Sequence, residues 1–164
     1  MDSAAEKLIR DASYLIEDED LYGAMQLLDE LLKQDPRNVG ALLNKGAVLQ
    51  NLGHMRRAVA CCDRALRAEP GNPDALLNKG SALHAEGDYR DAIACYDLLP
   101  RGGKASALAL LYKGLSLAEL GELEDAVRHF DGALGGDPEL ELARISRDMA
   151  LKMLDEKADP HSAQ

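Results

Sequence analysis

Leu42-Leu43-Asn44-Lys45-Gly46 recurs letter for letter at Leu76-Leu77-Asn78-Lys79-Gly80, and nearly so at Leu110-Leu111-Tyr112-Lys113-Gly114. The copies lie 34 residues apart, and Gly53, Gly87 and Gly121 keep the same interval. A 34-residue step from Ala24 gives Ala58, Ala92 and Ala126; from Pro36 it gives Pro70, then Lys104, then Pro138. A period of this length marks copies of one supersecondary unit, each burying its apolar face against the next. Four units follow, at about 5–38, 39–72, 73–106 and 107–140.

Each unit reads as two helices. In the second, Leu42, Leu43, Gly46, Leu49 and Leu52 fall at helical spacing, which predicts a helix over Asn38–Leu52. Gly53 stands just beyond it, where a left-handed cap needs no Cβ. A second helix is expected over His54–Ala68, with Ala58, Cys62, Ala65 and Leu66 inward; Pro70 and Gly71 end it, and Asn72 is placed to cap the next. The small Gly46 and Ala58 are expected to let the paired helices approach closely.

Composition agrees with an all-α chain. Of the 164 residues 46% are hydrophobic but only 4% aromatic, and Leu and Ala, both good helix formers, supply most of the apolar count. A net charge of −10 argues against nucleic acid or an anionic membrane as the main partner. No apolar run reaches membrane-spanning length, and the N-terminal residues lack the pattern of a secretory signal. Cys61, Cys62 and Cys95 form no CxxC pair and read as reduced, buried thiols of a cytoplasmic protein.

These features resemble the tetratricopeptide repeat family, whose signature is a small residue in the first helix, Ala early in the second, an aromatic four residues later, and Pro at the boundary. The resemblance covers about residues 5–140. Leu8, Leu42, Leu76 and Leu110 stand where the family often has Trp, and Lys45, Lys79 and Lys113 where it often has Leu. The second-helix aromatic is present as Tyr96 and Phe130 but replaced by Leu28 and Cys62. The first unit departs most, with Ala12 and Glu19 at the two Gly positions. In the third, Pro100 is expected to stop the second helix near Leu99 and leave a lengthened loop through Lys104.

After Pro138 a last helix, 139–157, is expected to cap the array. Ala143, Ala150, Leu151 and Leu154 would stack inward, Arg144, Arg147 and Asp148 would face outward, and Leu142, Ile145 and Met149 are left over. Residues 1–157 are thus expected to form a single domain, and 158–164 a disordered tail.

The resemblance implies a right-handed superhelical solenoid whose first helices line a concave groove. The lining positions are Arg10, Asn44, Asn78 and Tyr112; the preceding Leu43, Leu77 and Leu111; then Ser81 and Leu115, and a turn later His84. Carboxamides at Asn44 and Asn78 can hold a peptide backbone through both donor and acceptor, while Leu108, Tyr112 and Leu115 make one end more apolar. The expected function is a non-catalytic module that binds a peptide or helix of a partner protein. The family's chaperone-carboxylate clamp is not expected, because Arg10 is the only cation among the corresponding positions.

The alternative is a self-assembling scaffold. Residues 1–37 carry a net −6 and residues 38–71 a net +3, mostly from Arg56, Arg57, Arg64 and Arg67, so homo-oligomers could form through charged surfaces or the last helix. No catalytic residue, cofactor or metal is expected: His54, His84, His129 and His161 are isolated, and there is no phosphate loop, dinucleotide fingerprint or nucleophile elbow.

Overall fold

The computed structural model describes residues 4–100 and 103–158, so Arg101, Gly102, His161 and the expected tail beyond Ala158 lie outside the described residues. The described residues hold nine helices and no strand. These are α1 (Ala4–Glu17), α2 (Leu21–Gln34), α3 (Val39–Asn51), α4 (Met55–Ala68), α5 (Pro73–Glu86), α6 (Tyr89–Asp97), α7 (Gly103–Glu119), α8 (Leu123–Gly136) and α9 (Glu141–Ala158). Two compact units result, Met1–Glu86 and Gly87–Gln164. In the first, α1 to α5 pack consecutively and the alternate helices α1, α3 and α5 also touch; in the second, α6 to α9 pack consecutively and α7 touches α9.

The helix ends follow from single residues. Asp20, Asn38 and Asn72 each accept a hydrogen bond from the backbone N–H three residues on, at 2.9, 3.0 and 2.9 Å, which satisfies a donor that the first helical turn leaves unpaired. Between paired helices the chain turns through the left-handed region at Gly53 (φ 77°), Gly87 (92°) and Gly121 (78°). In the first repeat that place is taken by Glu19, which adopts φ 62° in spite of its Cβ.

Ala24, Ala58, Ala92 and Ala126 are completely buried. In the first unit the core is built mainly from Leu28, Leu31, Leu42 and Val48; in the second, from Leu111, Leu117, Leu123 and Phe130. Gly46 and Gly114 occupy the same repeat position with different consequences. A Cβ on Gly114 would meet Phe130 at 2.6 Å, so that helix crossing needs glycine. A Cβ on Gly46 would reach Ala58 O and Cys62 Sγ at 3.7 Å, ordinary contact, so the expected steric demand at Gly46 is absent. The cause is the residue opposite: a phenyl ring in one repeat, a small thiol in the other.

Pro100 acts as expected on α6, which has 9 residues where α2, α4 and α8 have 14. The expected loop does not run through Lys104: α7 begins at Gly103, four residues ahead of the 34-residue step from Pro73, and so has 17 residues against 13 in α3 and 14 in α5.

An ion-pair ladder follows the repeat. Lys45 pairs with Asp29, Lys79 with Asp63 at 2.7 Å, Lys113 with Asp97, and Arg147 with Asp131 at 3.4 Å. Each pair is 16 residues apart and joins the second helix of one repeat to the next first helix. This accounts for the lysines at positions where the family prefers Leu: the aliphatic stem covers the seam and the ammonium reaches a carboxylate. The last rung corrects the expectation for Arg147, which turns back to α8 instead of outward. On α9, Ala143 and Ala150 are buried as expected, but Leu151 is 42% exposed, together with Leu142, Ile145, Met149 and Met153.

Replacing Glu19 by Gly should raise stability by about 1 kcal/mol, because the left-handed backbone no longer carries a side chain. Gly114→Ala should lower it by about 1–3 kcal/mol through overpacking against Phe130, whereas Gly46→Ala should be tolerated or gain up to about 1 kcal/mol from helix propensity. Urea denaturation of the three variants beside the parent chain reads all of these effects.

Candidate functional site

The sequence places its candidate residues on the first helix of each repeat, and the two units carry them differently. In the first unit the candidate face of α1, α3 and α5 is joined by hydrogen bonds. Asn44 Nδ2 donates to Ser13 Oγ at 3.2 Å, and Ser13 Oγ donates to the Ile9 carbonyl at 3.0 Å, which ties α3 to α1. Gln50 Nε2 donates to the Asn78 carbonyl at 3.5 Å, and Ser81 Oγ donates to Gln50 Oε1 at 3.3 Å, which ties α5 to α3. Gln50 thus both donates and accepts with one carboxamide, each time toward α5.

Asn44 is therefore partly committed to the fold. The Asn78 side chain is half-buried and has no hydrogen-bond partner among the described residues. Leu43, Leu77 and His84 are half-buried beside this polar row, and Arg10 is exposed on α1. The basic residues of α4 are partly used within their own unit: Arg56 pairs with Glu86 at 2.8 Å, and Arg64 donates to the Pro36 carbonyl at 2.9 Å.

In the second unit the corresponding face is apolar. Leu108 and Leu115 are half-buried on α7. Tyr112, also half-buried, stacks on Tyr96 with ring centroids 5.9 Å apart and planes 26° from parallel. Leu111 is only 2% exposed and lies in the core, so it has no surface to offer a partner. It shares a buried cluster with Leu117, Leu123 and Phe130.

Leu115 opens into a cavity of about 480 Å³ between α7 and α9, walled by Ala118, Leu123, Phe130, Met149 and Met153. Sequence reasoning stopped its row at α7 and missed Met149 and Met153. The signal was present: the 34-residue step carries Tyr112 to Ser146, Leu115 to Met149 and Glu119 to Met153. The last helix thus continues the face of the first helices, with two flexible thioether side chains where α7 has Leu and Glu.

The three cysteines are buried and unbridged, and burial pushes the Cys61 thiol above its usual range. Among the described residues no three His, Cys, Asp or Glu side chains are grouped to hold a metal ion, and no helix is long and apolar enough to cross a membrane. The unequal commitments of the two polar residues can be measured. Gln50→Ala should cost about 1 kcal/mol by releasing both of its contacts, while Asn78→Ala should stay within about 0.5 kcal/mol of the parent; thermal melts of the single variants check both.

Several solved structures share the fold. PilF of Pseudomonas aeruginosa aligns with a TM-score of 0.85 at 17% identity, over 93% of this chain and 70% of its own. A thermophilic tetratricopeptide repeat protein of Thermus thermophilus gives 0.76 at 17%, over 91% and 82%. MamA of Desulfovibrio magneticus gives 0.72 at 21%, over 94% and 93%. No curated protein matches the chain by sequence. The family model of the tetratricopeptide repeat matches residues 48–107 and 87–141, which together span more than half of the chain. With its 34-residue period, its paired helices and these likenesses, the chain belongs to the tetratricopeptide repeat family and is an all-α solenoid.

Proposed function

We propose that the chain is a non-catalytic interaction module that holds a peptide or helix of a partner protein on the face of its first helices. The observation that carries this reading is the apolar hollow between α7 and α9, where Leu115, Phe130, Met149 and Met153 surround about 480 Å³. Met149 is 62% exposed and Met153 46%, large apolar side chains that gain by burial against a partner. Methionine adapts its shape to different apolar ligands, which suits a recognition surface more than a fixed core. In the first unit, the Asn78 carboxamide is available to pair with the backbone of an extended segment. Leu43, Leu77, Ser81, His84 and Arg10 would flank such a segment, and Leu108 and Tyr112 would border the apolar hollow.

The ligand that fits the hollow is an amphipathic helix or extended segment with apolar anchors at regular spacing. The structural-scaffold reading draws on the same helix, since Leu142, Ile145 and Leu151 of α9 are also exposed and could meet a second copy. Both readings meet in one experiment. A displayed peptide library selected against the full chain should yield segments with apolar residues at helical or alternating spacing. The double change Met149→Ser and Met153→Ser should weaken those peptides by about tenfold or more, from the loss of apolar burial. Arg57→Ala on α4 should leave binding unchanged. Peptides that bind the double variant as tightly as the parent would count against the groove. A loss of oligomers in sedimentation of the same variant, with peptide binding intact, would favour self-assembly.

A further inference from the structure

The apolar hollow of the second unit has one charged wall. Glu119, the last residue of α7, lines it together with Leu115, Phe130, Met149 and Met153, and no basic residue is among the described residues that wall it. Glu119 is exposed and has no hydrogen-bond or ion-pair partner among the described residues. Cations on α9 are engaged elsewhere: Arg147 meets Asp131 and Asp148 at 3.4 and 3.0 Å, and Lys152 meets Glu156 at 3.8 Å. Glu122, three residues on, shows the contrast, since it meets Arg90 at 3.5 Å.

The backbone adds charge of the same sign. Helix α7 ends at Glu119 with no basic residue in its last turn, so an acid sits at the negative end of the helix dipole. That is the reverse of the favourable arrangement, which Lys33 provides in α2 and Arg67 in α4. A cation brought from outside would offset both the carboxylate and the helix end.

The unit as a whole has the same sign. Residues 87–164 carry fifteen acidic and nine basic side chains, a net −6. A field of that sign repels a second copy of the chain and draws a cationic segment. Apolar surface alone accepts any amphipathic segment, whereas an unpaired carboxylate beside it discriminates. A partner acid next to Glu119 would be repelled, while a partner Lys or Arg would lay its aliphatic stem on the apolar wall and its charge against the carboxylate.

We infer that the partner segment held in the hollow is basic as well as apolar: a stretch of another protein in which a Leu, Met or Phe anchor is flanked by Lys or Arg. The anchor would enter among Phe130, Met149 and Met153, and the cation would meet Glu119. The inference rests on the groove reading proposed above and adds to it the charge of the partner.

The test uses the full chain and three labelled peptides of about 14 residues, enough for about four helical turns. They share one leucine stripe at helical spacing and are otherwise uncharged, except at two positions flanking the central leucine, which are Lys, Gln or Glu. Fluorescence anisotropy at about 0.01 M salt should show the Lys peptide binding about tenfold tighter than the Glu peptide, with the Gln peptide between. At about 1 M salt the spread should fall below about twofold. Glu119→Gln should remove most of the preference for Lys over Gln. Glu30→Gln on α2, which is not a wall of the hollow and changes net charge equally, should leave that preference as in the parent. The double change Met149→Ser and Met153→Ser should weaken the Lys and Gln peptides alike. If no peptide binds, or if the methionine changes leave binding as tight as before, the groove reading falls and this inference with it. If peptides bind through the methionines but the Lys, Gln and Glu forms bind alike, the groove reading stands and this inference is overturned. A Glu119→Gln chain that keeps the parent's preference also overturns it, since net charge and not the wall of the hollow would then select. So do dimers of the free chain that the methionine changes dissolve, since a second copy would then hold the hollow.

Discussion

An α-helical hairpin cannot enclose its own apolar surface; each pair leaves one flank that only the next pair can cover. The seam between a second helix and the following first helix is therefore where this molecule is held together. Buried leucines and alanines supply the attraction, which is non-directional and would tolerate sliding. The Asp–Lys rungs add direction. Asp29 with Lys45, Asp63 with Lys79, Asp97 with Lys113 and Asp131 with Arg147 are satisfied in one register and lost in any other. Each rung is partly exposed and is worth no more than about 1 kcal/mol. Their contribution lies in choosing among alignments that apolar contact alone would leave close in energy.

The repeat is regular in sequence spacing but uneven in what each copy demands. Gly114 must be glycine because Phe130 fills the crossing; Gly46 faces Cys62 and has room to spare. Glu19 performs the turn that Gly53, Gly87 and Gly121 perform, at φ 62° with a side chain attached. Pro100 removes the last turn from α6, and α7 grows at its beginning.

The binding face proposed above is what the seam leaves uncovered. In the first unit the open face of α1, α3 and α5 is polar and internally bonded through Ser13, Asn44, Gln50 and Ser81. In the second, the corresponding face is an apolar hollow. On the proposed reading, the first unit by itself would offer a partner donors and acceptors, and the second thioether and aliphatic surface. Hydrogen bonding to a peptide backbone is indifferent to sequence, whereas burial of apolar side chains selects for them.

The repeat period, the helix pairs and their ends were legible in the sequence, because they are set by local chemistry. Asn38 and Asn72 cap helices wherever the chain goes, Gly53 turns left-handed for want of a Cβ, and Pro100 stops a helix by its own geometry. The candidate face was legible only in part. Leu111 and Leu115 are equally apolar letters four residues apart on α7, yet one is core and the other lines a cavity, since what packs over each is not written in the local sequence. The extension onto Met149 and Met153 lay in the same 34-residue arithmetic but gained meaning only once α9 was seen beside α7. Sequence by itself determined which segments are helices and how often they recur, since both depend on neighbours within a turn or two. Only the tertiary structure decided which Asn is committed, which Gly is indispensable and which methionines line the hollow, because those depend on atoms brought together from distant parts of the chain.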